Sequence, residues 1–210
     1  VCSVSYNLLA AIPTVGTSMH AIYPDFENSD LVVIWGANPP TDSPPNKVKK
    51  ILAAKKRGAR VVVIDHMRSG MAKLADQWIG IRSGTDGALA LSMMHVIMSE
   101  GLYDEAFVRD WTLGFEELEE YVRHFPPEEA EKITRVPRET IAEMARSIAR
   151  AKGASLLMYT GLEYSNSGVQ SIRAVLCLWA VTGHLDVPGG LMFRPPSPVK
   201  FPRIKLDPPE

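Results

Sequence analysis

The run Asp30-Leu-Val-Val-Ile-Trp-Gly-Ala-Asn-Pro-Pro-Thr-Asp-Ser-Pro44 decides the fold. Leu31 to Trp35 is apolar throughout and β-branched at its centre, the pattern of a strand buried on both faces. Gly36 then lets the backbone turn, and Asn38, Thr41, Asp42 and Ser43 set polar groups just past the strand's carboxyl end. In open α/β sheets that edge is where ligands bind. An ordinary strand-to-loop junction, with Asn and Pro as turn formers, accounts for the same residues taken alone.

Working outward, strand and helix signals alternate, which predicts a parallel sheet covered on both faces. Asn46 to Arg57 reads as a helix opened by prolines and closed by Gly58, with Val48, Ile51, Leu52 and Ala54 on its apolar side. Arg60 to Asp65 is a second buried strand, completing a βαβ unit whose crossover is expected to be right-handed. Asp76 to Arg82 reads as a short third strand, and Thr85 or Asp86 caps a long helix from Gly87 to Glu100. Met93, Met94 and Met98 on that helix are core filler rather than metal ligands. Residues 104–151 read as short amphipathic helices forming a helical insertion with no assigned chemistry; the run Glu116-Glu-Leu-Glu-Glu120 is a solvated face. Ser155 to Tyr159 is a further strand, followed by Gly161, a polar loop to Gly168, and a helix from Val169 to Thr182. The expected fold class is a three-layer, doubly wound, mostly parallel α/β sheet, Rossmann-like, with that insertion.

Three strand ends carry the candidate chemistry: Gly36 to Ser43, Asp65 to Arg68, and Gly161 to Gly168. An acid closing a strand, as Asp65 does, can accept from a ribose diol or a guanine edge, or simply cap a turn. Arg68 is a planar, multidentate partner for phosphate. The segment Arg82-Ser-Gly-Thr-Asp86 opens the long helix, where backbone N–H groups attract an anion and Asp86 can accept from a guanine amino group. Gly84 and Gly87 bracket Thr85 and Asp86, as close approach of a ligand to the backbone would require.

Composition narrows the function. The chain has 210 residues, 46% hydrophobic and 22% charged, enough to bury a sizeable core. A net charge of −1 gives no electrostatic reason to expect nucleic acid or an anionic membrane. No apolar run approaches the roughly 20 residues that span a bilayer. Two cysteines, Cys2 and Cys177, cannot by themselves build a zinc or iron–sulfur site, and they do not decide the compartment, although a reducing one is the easier assumption. G-x-G-x-x-G and Walker-type phosphate loops are both absent, against an NAD dehydrogenase or a P-loop NTPase. Val1-Cys-Ser-Val-Ser-Tyr reads as the interior of a longer polypeptide, so residues 1–194 are expected to form one domain and the Pro-rich 195–210 an extended tail toward further chain.

Taken in order, Asn28 to Pro39, Gly58 to Asp65 with Arg68, Ala72 to Asp76, Ser83 to Leu89, and Leu178 to Gly190 resemble the molybdopterin oxidoreductase family, typified by dimethyl sulfoxide reductase and formate dehydrogenase. No single segment is specific; their order and spacing together are. The resemblance implies one α/β domain of a larger catalytic subunit, holding the guanosine end of a molybdopterin guanine dinucleotide beside molybdenum or tungsten. The implied contacts are Gly36, Asn38, Asp42 and Ser43; Asp65 and Arg68; Gly84, Thr85 and Asp86; and Gly161 with Leu162.

In many members a Cys, selenocysteine, Ser or Asp about 30 positions before this loop is the protein ligand to the metal, and Cys2 falls there, a thiolate being a soft ligand suited to such a metal. The alternative for Cys2 is a buried structural cysteine, and Cys177, mid-helix among Val175, Leu176 and Leu178, reads as core. Formate dehydrogenases carry a His after the ligand, where this chain has Ser3, and Arg194 stands near their catalytic Arg in an unmatched Pro-rich context. The implied partners are the remaining domains of the subunit and an iron–sulfur electron-transfer subunit; the cysteine cluster of many relatives would precede Val1. Three rival readings stay open: a non-catalytic relative such as the iron–sulfur subunit of NADH dehydrogenase, a non-redox hydratase or transhydroxylase of the same family, and a generic nucleotide-binding module.

Overall fold

A computed structural model describes residues 4–41 and 46–194, so Cys2, Asp42 and Ser43 lie outside the described residues. The chain enters through a π-helical turn, Ser5–Ala10, that runs into α1 (Ala11–Val15) and, after a 3-10 turn, β1 (Ile22–Pro24). Then come β2 (Leu31–Trp35), α2 (Asn46–Lys56), β3 (Arg60–Asp65), α3 (Gly70–Leu74) and β4 (Gln77–Gly80). Five helices follow, α4 (Asp86–Ser99), α5 (Glu105–Trp111), α6 (Phe115–Val122), α7 (Pro127–Thr134) and α8 (Arg138–Arg150), before β5 (Ala154–Met158). The described chain closes with α9 (Thr160–Glu163), α10 (Gly168–Val181) and β6 (Leu191–Phe193).

The main sheet has the order β4-β3-β2-β5, with all three pairings parallel. Strand order runs outward from β2 through β3 to β4, then resumes on the other side of β2 with β5. The switch point therefore lies between β2 and β5, and the register sets their carboxyl ends level, Trp35 opposite Met158. The period-two alternation of a strand sorts the side chains onto two faces. Leu31, Val33, Trp35, Val62 and Ile64 join the core beneath α4 and α10, while Val32, Ile34, Val61 and Val63 join a smaller core beneath α2 and α3. This is the expected three-layer arrangement, and β2 and β3 run over the residues the sequence indicates.

The helices over 104–151 form the expected insertion and pack onto the main core, whereas one small sheet was not expected. Ile141, Met144, Ala145 and Ile148 of α8 are buried in the same core as α4, because their i, i+3, i+4, i+7 spacing makes one apolar stripe. A second, two-stranded antiparallel sheet pairs β1 with β6, joining residues far apart in sequence (Ile22 opposite Phe193). Arg194 closes it, its N–H donating to the Ala21 carbonyl at 2.7 Å and its guanidinium lying 5.8 Å over the Tyr23 ring.

At the amino edge of the sheet, Gly189 (φ +82°) comes so near Gly153 and Asn28 that a Cβ would lie 2.8 Å from the Asn28 carbonyl oxygen. The glycines of the 178–190 segment thus serve packing. At the far end of α10 an apolar groove of about 760 Å³ is lined by Phe107, Phe115, Cys177, Val187 and Phe193, with Trp111 78% exposed and Leu113 fully so at its lip. Cys177 is a free thiol whose ionisation burial pushes up. No helix among the described residues is long and apolar enough to cross a membrane.

His184 is buried, its Nε2 2.9 Å from the Ile148 carbonyl oxygen. Burial pulls its pKa below the ordinary 6.5, outweighing that hydrogen bond. The unfolded chain therefore takes up the proton first as pH falls, so stability is lost on the acid side of that value. Urea unfolding from about pH 7 down to about pH 5 should show this loss, and His184→Gln, which keeps a donor for Ile148, should flatten it.

Candidate functional site

The site is the rim formed by the carboxyl ends of β2, β3, β4 and β5. At the switch point the backbones of Gly36 and Gly161 touch, the Gly161 N–H donating to the Gly36 carbonyl at 3.0 Å. A Cβ on Gly161 would sit 2.6 Å from Gly36 Cα, and one on Gly36 would sit 2.5 Å from Leu162 Cδ1. Gly36 also holds a left-handed φ of +58°. These glycines are required by mutual approach, whatever binds above them. Leu162 is buried in the main core, and its N–H is committed to the Tyr159 carbonyl at 3.2 Å. Gly161 and Leu162 therefore offer the rim no free N–H.

Asn38 is half-buried and ties two loops together. Its Nδ2 donates to Thr41 Oγ1 at 2.8 Å, and its Oδ1 accepts from the Met71 N–H at 3.2 Å, joining the loop after β2 to the start of α3. Asp65 ends β3 only 8% exposed. Its Oδ1 accepts from the Met67 N–H at 3.0 Å and lies 3.0 Å from His66 Nδ1. Trp78 of β4 donates its indole N–H to the Asp65 carbonyl at 3.1 Å. Arg68, three residues on, is exposed.

The opening of α4 supplies the other carboxylate. Thr85 stands at the N-cap but makes no capping bond; its hydroxyl donates to the Arg82 carbonyl at 2.6 Å. Asp86, 5% exposed, accepts from the Trp35 indole N–H at 2.8 Å. Burial pushes the Asp86 carboxyl above its usual range despite that bond, and the charge of Asp65 adds to the rise. The bracketing glycines have reasons of their own: Gly84 holds φ +78°, and a Cβ on Gly87 would meet Ser171 Oγ of α10 at 3.1 Å. Ser167 Oγ lies 3.4 Å from the Gly84 carbonyl, linking the loop after β5 to the one before α4.

Gly36, Asn38, Asp65, Arg68, Gly84, Thr85, Asp86, Gly161 and Leu162 therefore belong to loops linked along one rim. Sequence reasoning missed Trp35, reading it only as an apolar strand end. The available signal was its polar indole edge, which needs an acceptor when buried. Among the described residues no cluster of three or more His, Cys, Asp or Glu could hold a metal. The rim offers the groups a nucleotide tail would need: two carboxylates as hydrogen-bond acceptors, Arg68 as a cation, and the positive end of the fourteen-residue α4.

The rim geometry yields two expectations. Gly161→Ala should destabilise by about 1–3 kcal/mol through overpacking against Gly36, measured by chemical unfolding. Ionising Asp86 disfavours the folded state, because its folded pKa is raised; stability is lost as pH rises from the unfolded value near 3.8 through that raised pKa. Asp86→Asn keeps an acceptor for Trp35 and removes that loss, so its stability relative to the unmodified chain should rise with pH from about pH 4 to about pH 7.

Comparison with known proteins agrees with this architecture. The family model for molybdopterin oxidoreductases matches residues 5–194. Formate dehydrogenase H of Escherichia coli is 38% identical over 164 residues, covering 78% of this chain and 23% of that protein. Acetylene hydratase of Syntrophotalea acetylenica is 34% identical over 161 residues, covering 77% of the chain and 22% of the relative. The solved structure of acetylene hydratase from Pelobacter acetylenicus superposes with a TM-score of 0.82 at 30% identity, covering 90% of this chain and 26% of that one. The chain thus spans about a quarter of the length of these relatives. On the family-model match and the 38% identity, the chain belongs to the molybdopterin oxidoreductase family.

Proposed function

We propose that this chain is a cofactor-positioning domain of a molybdenum- or tungsten-dependent oxidoreductase, binding the guanosine end of a molybdopterin guanine dinucleotide. The observation that carries the reading is the pair of nearly buried carboxylates, Asp65 and Asp86, on linked loops of one sheet rim. Such a pair is costly to bury and is suited to accept hydrogen bonds from a ribose and a guanine. The bound group supplies the two-electron chemistry of the metal; the protein supplies placement and electrostatics.

In this reading Asp86 accepts from the guanine edge and Asp65 from guanine or ribose hydroxyls. Arg68 and the start of α4 face the diphosphate, with Gly84 and Thr85 close by. Asn38, Gly36, Gly161 and Leu162 shape the floor at the switch point; Asp42 and Ser43, outside the described residues, are assigned as further cofactor contacts. Cys2 is assigned as the metal ligand. The remaining domains of a longer catalytic subunit enclose the cofactor, with an iron–sulfur subunit as electron partner and any iron–sulfur cluster of the subunit itself held outside this chain.

A non-redox hydration at the same metal is the second reading, favoured by the likeness to acetylene hydratase. Both readings use the same guanosine cradle.

Calorimetric titration with GDP tests the cradle. Binding should favour GDP over ADP, and Asp86→Ala should weaken GDP by about tenfold or more, as expected for loss of a charged hydrogen-bond acceptor. Equal affinity for both nucleotides, or no binding of either, would falsify the assignment.

A further inference from the structure

We infer that Trp35 is a positioning residue for guanine recognition: its indole N–H fixes one oxygen of Asp86, turning the carboxylate toward the N1–H and 2-amino edge of the purine. This rests on the guanosine reading above.

A buried indole N–H needs an acceptor, and a backbone carbonyl is enough. Two other tryptophans of this chain use one: Trp179 donates to the Ala154 carbonyl at 2.7 Å, and Trp78 to the Asp65 carbonyl at 3.1 Å. Trp35, fully buried at the end of β2, instead donates to a carboxylate that is itself almost fully buried. That arrangement is expensive. Asp86 is desolvated, and the charge of Asp65 opposes its ionisation, with His66 alone among the nearby charged groups favouring it.

The helix start favours the carboxylate only in part. Asp86 lies in the first turn of α4 and accepts from its own backbone N–H, yet burial still outweighs that bond and the one from Trp35. No side chain caps the helix. Nor does Asp86 take part in any ion pair among the described residues that would account for its burial. A carboxylate kept desolvated against two opposing costs, at a rim and held by a rigid indole, is placed for a ligand. Trp35 is well suited to hold it. The strand before it is flanked on each side, and its ring is fully buried within the main core, where close packing restricts rotation. Fixing one oxygen leaves the orientation of the second determined, as an acceptor pair for two parallel N–H donors requires. Guanine presents such a pair; hypoxanthine lacks the 2-amino group, and xanthine carries an oxygen in its place.

The test is a titration of the chain with GDP, inosine diphosphate and xanthosine diphosphate across pH, alongside thermal unfolding. The unmodified chain should prefer GDP to inosine diphosphate. Trp35→Phe, which keeps the packing and removes the N–H, should lose about tenfold in GDP affinity and much less for inosine diphosphate, so that the preference collapses. The acid limb of GDP binding should also move to higher pH, because the ionised carboxylate loses its donor. Asp86→Asn retains Trp35 and its bond, and should now favour xanthosine diphosphate over GDP; this arm decides the matter should Trp35→Phe fail to fold. A folded Trp35→Phe with an unchanged GDP preference and acid limb overturns the inference while leaving the guanosine site standing. So does an Asp86→Asn variant with no gain for xanthosine diphosphate. If the unmodified chain shows no guanine preference, the site and this inference fall together.

Discussion

The backbone contact between Gly36 and Gly161 is the constraint on which the rim depends. Where strand order reverses, β2 and β5 leave the sheet side by side, and two chains must turn away through one narrow space. Only residues without a Cβ allow it. Gly161 N–H bonds to the Gly36 carbonyl, and Leu162 closes the space from below as part of the core. With these two exits locked, the loops after β2 and β5 have fixed starting points. Asn38 then reaches α3, and Ser167 reaches the turn at Gly84. Precision at the rim thus comes from backbone packing in the sheet rather than from the loops themselves.

Trp35 and Asp86 add a polar link between the sheet and the helix layer. A parallel sheet meets its covering helices almost wholly through apolar contacts, which resist separation but fix orientation weakly. One directional bond from the end of β2 to the first residue of α4 sets how that helix begins relative to the strand. Since α6, α7, α8 and α10 all pack on α4, the placement of one carboxylate and of most of the helical layer are coupled.

Much of this was legible in the residues. Leu31–Trp35 and Arg60–Asp65 announce themselves because continuous apolar, β-branched runs bounded by turn residues have few other fates, and their carboxyl ends locate the rim. The short pairing of β1 with β6 was not legible: three-residue strands have no period to detect, and their partners lie about 170 positions apart. The 104–151 stretch was legible as a helical insertion, and the stripe Ile141, Met144, Ala145 and Ile148 marks the face of α8 that packs on the main core. Trp35 illustrates a different limit. An indole within an apolar strand counts as apolar in any periodicity, and its acceptor lies 51 positions away. The glycines at 84 and 87 show the converse. Their presence suggested room for a ligand, while left-handed geometry at one and a tight helix crossing at the other are sufficient causes.

The groove at the far end of α10 has a practical bearing. With Trp111 and Leu113 standing in water above Phe107, Phe115 and Phe193, the chain carries an adhesive patch remote from its acidic rim. In dilute solution such a patch draws copies together as temperature rises, since the attraction between apolar surfaces strengthens on warming from the cold. Handling this chain by itself therefore calls for low concentration and cool conditions.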